Sequence, residues 1–307
     1  MNSSSKKMGS PHVELFPNDL NQVRHLLATS SQAGGFPSKA GSALQSALSN
    51  QGKLFRSQFV LGLAHLFDKS VDGFIHRIAA SVEMVHTASL ILDDLPCMDD
   101  ALLRRGKPPL HRQFGEGHTI LAAFAIISRA NQLLATPHTR MNLSRQLQVL
   151  EIFNRSFGLD GLAGGQSLDL ETSTSTPLPE FATIHHYKTG ALFTACAQMV
   201  AIWCQISLAQ KEKVMVFARN LGLAFQVTDD LLDLQSATET AKCDEPGPHH
   251  GSLATRLSRT QMLDRLRTYH HAAWVALTGF GMSAVPLKSQ VDSLLTLASD
   301  LACPASR

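Results

Sequence analysis

Two clusters of aspartates, each placed directly after a strongly apolar helical stretch, constrain this chain more than any other feature. The first cluster spans residues 93–100 with the pattern DDxxxxD, and the second spans residues 229–233 with the pattern DDxxD. Carboxylates close together repel one another and resist desolvation unless cations neutralise them. Mg²⁺ suits such oxygen ligands and is commonly held by a few carboxylates together with phosphate oxygens. Two facing clusters would therefore make a metal cradle for a diphosphate.

The alternative interpretation is that both clusters are solvated acidic helix ends. The basic residues near them argue against it, because cations there would lie beside any metal-bound diphosphate. Arg104 and Arg105 closely follow Asp99 in the sequence. Arginine offers a planar fork for phosphate, and lysine offers a mobile point charge. Further candidates for anion binding are Lys53, Arg56, Lys188 and Lys242.

Composition narrows the class of protein. The chain has 307 residues, 44% of them apolar and 17% charged, with a net charge of +2. This describes a globular protein with a sizeable core and no overall attraction to nucleic acid or membranes. The five cysteines show no CxxC spacing and indicate free thiols in a reducing compartment. No signal-peptide pattern and no apolar run of about 20 residues is present, so we expect a cytoplasmic protein without a membrane span.

Prolines separate long segments in which apolar residues recur at helical spacing. No alternating, β-branched stretch is typical of a strand. The sequence therefore predicts an all-α, single-domain protein with a flexible tail at 1–18 and one domain at 19–307. Loops are expected at 172–179 and 243–251, which are rich in Pro, Thr, Gly or His. The predicted helical segments are 74–92, 110–134, 143–157, 181–206, 211–234 and 253–277.

Helical geometry predicts how the cluster residues are oriented. Asp229 and Asp233 share one helix face, whereas Asp230 points about 100° away. Pro96 forbids a regular helix through the first cluster, so we expect a bulge that returns Asp99 to the side of Asp93. A histidine on an apolar helix, as at position 86, is commonly a core residue. It lies two turns before Asp93 on the same face, which favours a ligand-binding role.

Four segments carry a resemblance to a known family. They are residues 82–108, 164–170, 186–192 and 222–233, and together they resemble the trans-isoprenyl diphosphate synthases. The similarity is strongest to bacterial and plant geranylgeranyl diphosphate synthases and covers roughly residues 40–260, in order and at the family spacing. It implies an isoprenoid synthase fold, a bundle of roughly 10–13 helices around a central cavity. It also implies a homodimer.

The resemblance implies a role for each candidate residue. Isopentenyl diphosphate would be held by Lys53, Arg56, His86 and Arg105. About three Mg²⁺ ions, bridging to an allylic prenyl diphosphate, would be ligated by Asp93, Asp99 and Asp229. The allylic diphosphate would also bind Arg104, Lys188 and Lys242. Thr189 and Gln226 would lie beside the developing allylic cation. Asp94, Asp230 and Asp233 would act indirectly, through other residues or through water on the metal.

Some positions depart from the family pattern or allow two interpretations. Leu54 and Ser57 replace the Arg and Pro common in the first basic motif, and His250 stands where a second Lys of the closing loop is expected. That substitution predicts weaker closure over the diphosphate, which His250→Lys would strengthen. Gln166 and Asp169 share a helix face. They could orient Lys188 or a water on the metal, or they could belong to helix packing at Gly164-Gly165.

The sequence favours a chain-elongating prenyltransferase over two rivals. A non-catalytic partner of a second synthase would commonly lose members of the Asp clusters, and both clusters are present here. A terpene cyclase would not need the set Lys53, Arg56 and His86. Ala88 and Ser89, about one turn before Asp93, are small and predict a tail tunnel open beyond C15, with Met84 near its floor. We therefore expect geranylgeranyl diphosphate as the product, with farnesyl diphosphate as the alternative.

Overall fold

The structure, a computed structural model, describes residues 14–32, 37–67, 71–104, 106–173, 176–240 and 252–302. In these ranges the fold is all-α, as predicted, and contains no strand. A π-helical turn, His186–Gly190, joins α9 to α10, and short 3₁₀ turns span Leu253–Thr255 and Gly281–Ala284. The α-helices within the described residues are α1 Pro17–Ser30, α2 Lys39–Ser49, α3 Phe55–Leu66, α4 Gly73–Asp93, α5 Leu110–Phe114, α6 Glu116–Ala135, α7 Leu143–Phe157, α8 Leu162–Leu170, α9 Leu178–His185, α10 Ala191–Cys204, α11 Leu208–Thr240, α12 Arg259–Ala276 and α13 Val285–Ala302.

Each predicted segment contains a helix, whereas α2, α3, α8 and α13 lie outside those segments. In the segment 253–277, a 3₁₀ turn precedes α12, which begins only at Arg259. Three further differences stand out. Helix α1 begins at Pro17, just inside the predicted tail. The predicted segment 110–134 is divided into α5 and α6 at Gly115, whose φ of 87° is one that side chains disfavour. The segment 181–206 is interrupted by the π-helical turn, which alters the direction of the side chains after α9. Of the two predicted loops, 243–251 lies outside the described residues.

Helix α4 lies at the centre of the bundle because its sequence is apolar on nearly every face. Asp72 caps its N-terminus by accepting a hydrogen bond from the backbone N–H of Phe74 at 3.1 Å. The helix packs against α3, α6 and α10, and α11 packs against α10, α12 and α13. A buried aromatic cluster links these two halves, with Phe59 in edge contact with Phe193 at 5.5 Å between centroids. This core fixes the C-terminal end of α4 relative to the middle of α11.

Within the described ranges, none of the helices combines the length and the hydropathy that a bilayer crossing requires.

Candidate active site

A large cavity of about 1080 Å³ opens where the C-terminal end of α4, the N-terminal end of α3 and the middle of α11 meet. Both aspartate clusters border it, through Asp94 of the first and Asp229 of the second. Basic side chains line the same space between them. The charged and histidine residues among its walls include Lys53, Arg56, Glu83, His86, Asp94, Arg104 and Asp229.

The first cluster contains the bulge that Pro96 predicts. Helix α4 ends at Asp93, and the backbone N–H of Asp99 donates to the carbonyl of Asp93 at 2.9 Å. The N–H of Asp100 donates to Leu95 at 3.1 Å, and Asp100 has a left-handed φ of 44°. The seven residues 93–99 are thereby folded into a loop whose ends touch, which returns the backbone of Asp99 to Asp93.

The carboxyl of Asp93 is electrostatically the most perturbed of the first cluster. Burial, together with the neighbouring carboxylates of Asp99 and Asp94, raises its pKa to a net value of about 6. The cations of Lys188 and Arg104 counter part of this rise. A buried carboxylate beside other carboxylates is stabilised by additional positive charge. The loop therefore suits a bound cation.

The second aspartate of this cluster, Asp94, is buried and ion-paired to Arg104. Both Nε and Nη2 of Arg104 donate to Oδ1 of Asp94, at 2.8 and 2.5 Å. Burial lowers the pKa of Arg104, but the hydrogen bond to Asp94 and the charges of Asp94, Asp93 and Asp99 outweigh it and raise the pKa overall. Asp94 thus holds the guanidinium of Arg104 at the wall of the cavity.

Lys188 lies on the π-helical turn, and Asp169 of α8 orients it. Its Nζ is 2.5 Å from Oδ2 of Asp169. Burial lowers the pKa of Lys188, while the carboxylates of Asp169, Asp93 and Asp99 raise it to a net increase. A Cβ on Gly165 would lie 2.2 Å from the backbone nitrogen of Lys188, so α8 approaches the turn as closely as glycine permits. Of the two residues predicted to orient Lys188, Asp169 contacts it, whereas the buried amide of Gln166 has no hydrogen-bond partner among the described residues. Gly165 permits the packing that the other interpretation predicted.

A hydrogen-bonded chain connects the π-helical turn to α11. Oγ1 of Thr189 lies 2.5 Å from Oε1 of Gln226, and Nε2 of Gln226 lies 3.1 Å from Oδ1 of Asp230. The other oxygen of Asp230 accepts the backbone N–H of Leu253 at 3.1 Å. Asp230 is 2% exposed, whereas its neighbour Asp229 is exposed and lines the cavity. The two adjacent carboxylates therefore face different surroundings, as the helical geometry predicts.

Arg56 is buried at the base of the cavity. Its guanidinium lies over the rings of Phe193 and Phe225, 5.1 and 5.0 Å from their centroids. Burial lowers the pKa of Arg56, and the carboxylates of Glu83 and Asp229 counter this. Glu83 in turn accepts the backbone N–H of Ser57 at 2.9 Å. This bond requires the Ser57 substitution, since the proline common at this position has no N–H.

Comparison with known proteins places these residues in a family. The model of the polyprenyl synthetase family matches residues 38–244. The chain belongs to the polyprenyl synthetase family. A geranylgeranyl diphosphate synthase of Pantoea ananas is 37% identical over 75% of this chain and 76% of its own length. A farnesyl diphosphate synthase of Geobacillus stearothermophilus is 34% identical over 76% of this chain and 79% of its own length.

Solved structures agree with the polyprenyl synthetase assignment. The chain is similar to a geranyltransferase from Legionella pneumophila with a TM-score of 0.80 at 30% identity, over 91% of this chain and 95% of that one. The relatives include both geranylgeranyl and farnesyl diphosphate synthases. The activity of a trans-prenyltransferase follows from the family, and the length of the product does not.

The structure brings most of the predicted site residues of this polyprenyl synthetase together. Lys53, Arg56, His86, Arg104 and Asp229 line the cavity. Asp93, Asp99, Lys188, Thr189 and Gln226 are not among the residues that line it. The charges of Asp93 and Asp99 act on Lys188, and Thr189 bonds to Gln226. Predicted residues outside the described part of the chain are Arg105, Lys242, His250 and the side chain of Asp233.

Across the described part of the chain, no three His, Cys, Asp or Glu side chains converge closely enough to form a metal site by themselves. Ions at the clusters would need further oxygen ligands, which a bound diphosphate offers. The raised pKa of Asp93 is the observation that favours such ions.

Two parts of the site were missed by sequence reasoning. The first is Glu83, the buried carboxylate opposite Arg56, and its signal was an acidic residue in an otherwise apolar helix. The second is the aromatic pair Phe193 and Phe225 beneath the guanidinium. Both phenylalanines lie in helices with many other apolar residues. Their spacing in the sequence is that of ordinary core positions, so it gave no indication of a role in the site.

Proposed function

We propose that this protein is a Mg²⁺-dependent prenyltransferase that condenses isopentenyl diphosphate with an allylic diphosphate to form geranylgeranyl diphosphate. Farnesyl diphosphate is the expected primer, and shorter primers are possible substrates. The observation that carries the proposal is one cavity bordered by both aspartate clusters and by Lys53, Arg56 and Arg104. Such a cavity pairs metal-binding carboxylates with cations suited to two diphosphates.

Each group of residues has one task in this reaction. Asp93, Asp99 and Asp229 would hold Mg²⁺, which when bound supplies positive charge against the diphosphate leaving group. Arg104 and Lys188 bind the allylic diphosphate, positioned by Asp94 and Asp169. Arg105 and Lys242 are assigned to the diphosphates by sequence alone.

The second substrate and the reacting carbons require different side chains. Lys53, Arg56 and His86 hold the diphosphate of isopentenyl diphosphate at the other part of the cavity. The oxygens of Thr189 and Gln226 are assigned to stabilise the positive charge that develops on the allylic carbon. The isopentenyl double bond attacks that carbon, and the proton it then loses passes to the released diphosphate.

The proposed C20 product rests on small side chains before the first cluster. Ala88 is 1% exposed and Met84 is fully buried, in the interior of the protein. The large cavity is lined instead by other α4 residues, among them Thr87 and Leu90, so it follows a different side of the helix. The tail is assigned to the face of Ala88. Farnesyl diphosphate remains the second candidate product because a farnesyl diphosphate synthase is 34% identical to this chain.

We further propose a homodimer that buries the outer faces of α6 and α7. Apolar side chains are strongly exposed there, with Phe124 68% and Leu121 56% exposed on α6 and Leu147 56% exposed on α7. Exposed apolar side chains clustered in this way commonly mark an interface. Light scattering of the wild type and Phe124→Asp tests this, and an unchanged dimer in the variant rejects this face.

A cytoplasmic location is proposed from the thiols. In the described part of the chain, Cys97 and Cys196 are free thiols, and disulfides are rare in a reducing compartment.

The decisive experiment supplies purified protein with Mg²⁺, labelled isopentenyl diphosphate and each allylic primer in turn, followed by chromatography of the dephosphorylated products. Metal-dependent formation of a C20 alcohol supports the full proposal, and C15 alone supports only the prenyltransferase. No condensation with any primer rejects the catalytic function and favours a non-catalytic subunit.

A further inference from the structure

The chain of hydrogen bonds from Thr189 to Asp230 has a direction that chemistry fixes. A backbone N–H can only donate, so Oδ2 of Asp230 must accept from Leu253, at 3.1 Å. The amide NH₂ of Gln226 donates to the other oxygen, Oδ1, at 3.1 Å, and this is the direction that suits a carboxylate without a hydrogen to give. Asp230 therefore determines which end of the Gln226 amide faces it.

The same logic continues to Thr189. With its NH₂ turned to Asp230, Gln226 presents its carbonyl oxygen to Thr189, at 2.5 Å. A carbonyl oxygen can only accept, so the Thr189 hydroxyl must use its hydrogen in this bond. The lone pairs of the threonine oxygen then have no competing hydrogen of their own. They are oriented as a cation would require, since positive charge is stabilised by the negative end of a fixed dipole.

We propose that Asp230 is a positioning residue, which sets the direction of the Gln226 amide and thereby turns the Thr189 oxygen into a fixed acceptor for the allylic cation. This inference rests on the proposed function, because it assigns a task to one carboxylate of that site. The proposal gives the two adjacent aspartates of the second cluster different roles. Asp229 faces the cavity and is assigned to the metal, while Asp230 acts only through Gln226.

Burial and contacts argue against a metal-ligand role for Asp230. Its side chain is 3% exposed, and both of its oxygens already accept hydrogen bonds. The nearest charged or titratable neighbour shown is His185, with Nε2 3.8 Å from Oδ2, and His185 is equally buried. Asp230 also accepts the backbone N–H of Leu253, the second residue of the described range 252–302. A purely structural role is therefore the alternative that an experiment must exclude.

Two substitutions exchange the amide and the carboxylate and so test the direction alone. In Asp230→Asn, the new amide can donate to Gln226 and still accept the N–H of Leu253. Gln226 is then free to turn its NH₂ toward Thr189, which reverses the threonine hydroxyl. Adding Gln226→Glu restores a group at 226 that only accepts. The double variant therefore recovers the original direction with the same total charge.

The kinetic test compares the wild type, both single variants and the double variant. Asp230→Asn should lower kcat roughly 100-fold, the size typical of losing one preorganised transition-state dipole. KM for both diphosphates and the Mg²⁺ dependence should stay within about threefold, because neither diphosphate touches Asp230. The double variant should recover at least about tenfold of the lost kcat. Full activity in Asp230→Asn, or a double variant no faster than it, overturns the proposal.

A stability measurement keeps the test independent of turnover. The melting temperature of the double variant should exceed that of each single variant by at least about 3 °C, because the exchange restores the matched bonds. If the wild type shows no condensation, the proposed function fails, and the melting temperatures still decide whether residues 226 and 230 are coupled. Additive melting temperatures would show that Asp230 does not orient Gln226.

Discussion

The two aspartate clusters carry the same Asp-Asp pair in different local structures. The first lies where α4 ends, in a loop closed by the bond from Asp99 to Asp93. The second lies within the continuous helix α11. In the first, the buried Asp94 is held by the guanidinium of Arg104, and in the second, the buried Asp230 is held by an amide and a backbone N–H. The hydrogen-bond donors shown for the second aspartate of each pair are therefore charged in the first cluster and neutral in the second.

The difference shows how one motif can perform two tasks. Pairing Asp94 with Arg104 places a cation at the cavity, where a diphosphate would bind. Pairing Asp230 with Gln226 orients the amide that bonds to Thr189. The first member of each pair, Asp93 or Asp229, is the proposed metal ligand. The buried carboxylates of the two clusters therefore support different groups, a guanidinium in the first and an amide in the second.

The largest effect should come from the first members of the pairs. Asp93→Ala and Asp229→Ala should each lower kcat by roughly 1,000-fold or more, because each removes an assigned ligand of the ions that stabilise the leaving group. Steady-state turnover with saturating Mg²⁺ measures this, and circular dichroism checks the fold. Asp100→Asn, at an exposed position of the first loop, serves as the control and should retain most activity. Either alanine variant keeping more than about a tenth of the rate would reject the metal cradle.

A smaller loss of activity is expected on changing Arg104, the cation that pairs with Asp94 in the first cluster. Arg104→Lys keeps the charge but cannot give two nitrogens to Oδ1 of Asp94, so the cation loses its fixed position. We expect kcat/KM for the allylic substrate to fall roughly 30-fold, with KM for isopentenyl diphosphate changed less than about threefold. Arg112→Lys, exposed on α5, is the matched control. Equal losses for both substrates would mean that Arg104 does not discriminate between the diphosphates.

Sequence reasoning predicted the parts of this molecule that depend on local rules. Proline and apolar periodicity predicted helices close to α4, α7 and α11. Pro96 predicted the bulge, because its ring excludes a regular helix through the cluster. The position of Asp230 away from Asp229 followed from the angle between successive helical residues. Each of these needs only neighbours within about two turns.

Interactions between distant segments were not predictable in this way. Glu83 and Arg56 are 27 residues apart, and the pairing depends on how α3 packs against α4. The bond between Asp230 and Leu253 depends on where the chain returns after α11. The π-helical turn at Lys188, which packs tightly against Gly165, also escaped prediction. These features are decided by tertiary packing.

The pKa of Asp93 predicts a pH-dependent stability without metal. Its pKa is about 6 in the fold, above the ordinary 3.8, so ionisation costs folding free energy as pH rises from 4 through 6. Asp93→Asn removes that cost. In EDTA, the variant's gain in unfolding free energy over wild type should be larger at pH 7.5 than at pH 4.5 by about 2 kcal/mol. Urea unfolding measures it, with Asp100→Asn as the control for removing a carboxylate.

Added Mg²⁺ sharpens the same measurement. A cation at Asp93 should stabilise the wild type at pH 7.5, and it should stabilise Asp93→Asn much less. If the difference in unfolding free energy between the wild type and Asp93→Asn is the same at pH 4.5 and pH 7.5, burial does not destabilise the Asp93 carboxylate.

The smallest effect on turnover is expected for a substitution at Ala88, which should instead change the chain length of the product. Ala88 is buried on α4 just below the first cluster, and Ala88→Phe places a ring where the C15 tail would pass. We expect the main product to shorten from C20 to C15 while turnover with the shorter primers stays within about fivefold. Met84→Ala, one turn lower, should allow a longer chain because the sulfur side chain no longer closes the tunnel. Chromatography of the products measures both shifts.

Ala79→Phe separates tunnel blockage from simple overpacking. Ala79 is also fully buried on α4, but nine residues before Ala88 it lies about 180° around the helix, on the side where Ser57 of α3 donates to its carbonyl. A ring at either position should destabilise the core by about 1–3 kcal/mol. If the tail runs along the Ala88 face, only Ala88→Phe should shorten the product at equal loss of stability. Shortening of the product by both variants would attribute the change to a disturbed core. An unchanged C20 product from Ala88→Phe would place the tail on another side of α4, such as the one that lines the large cavity.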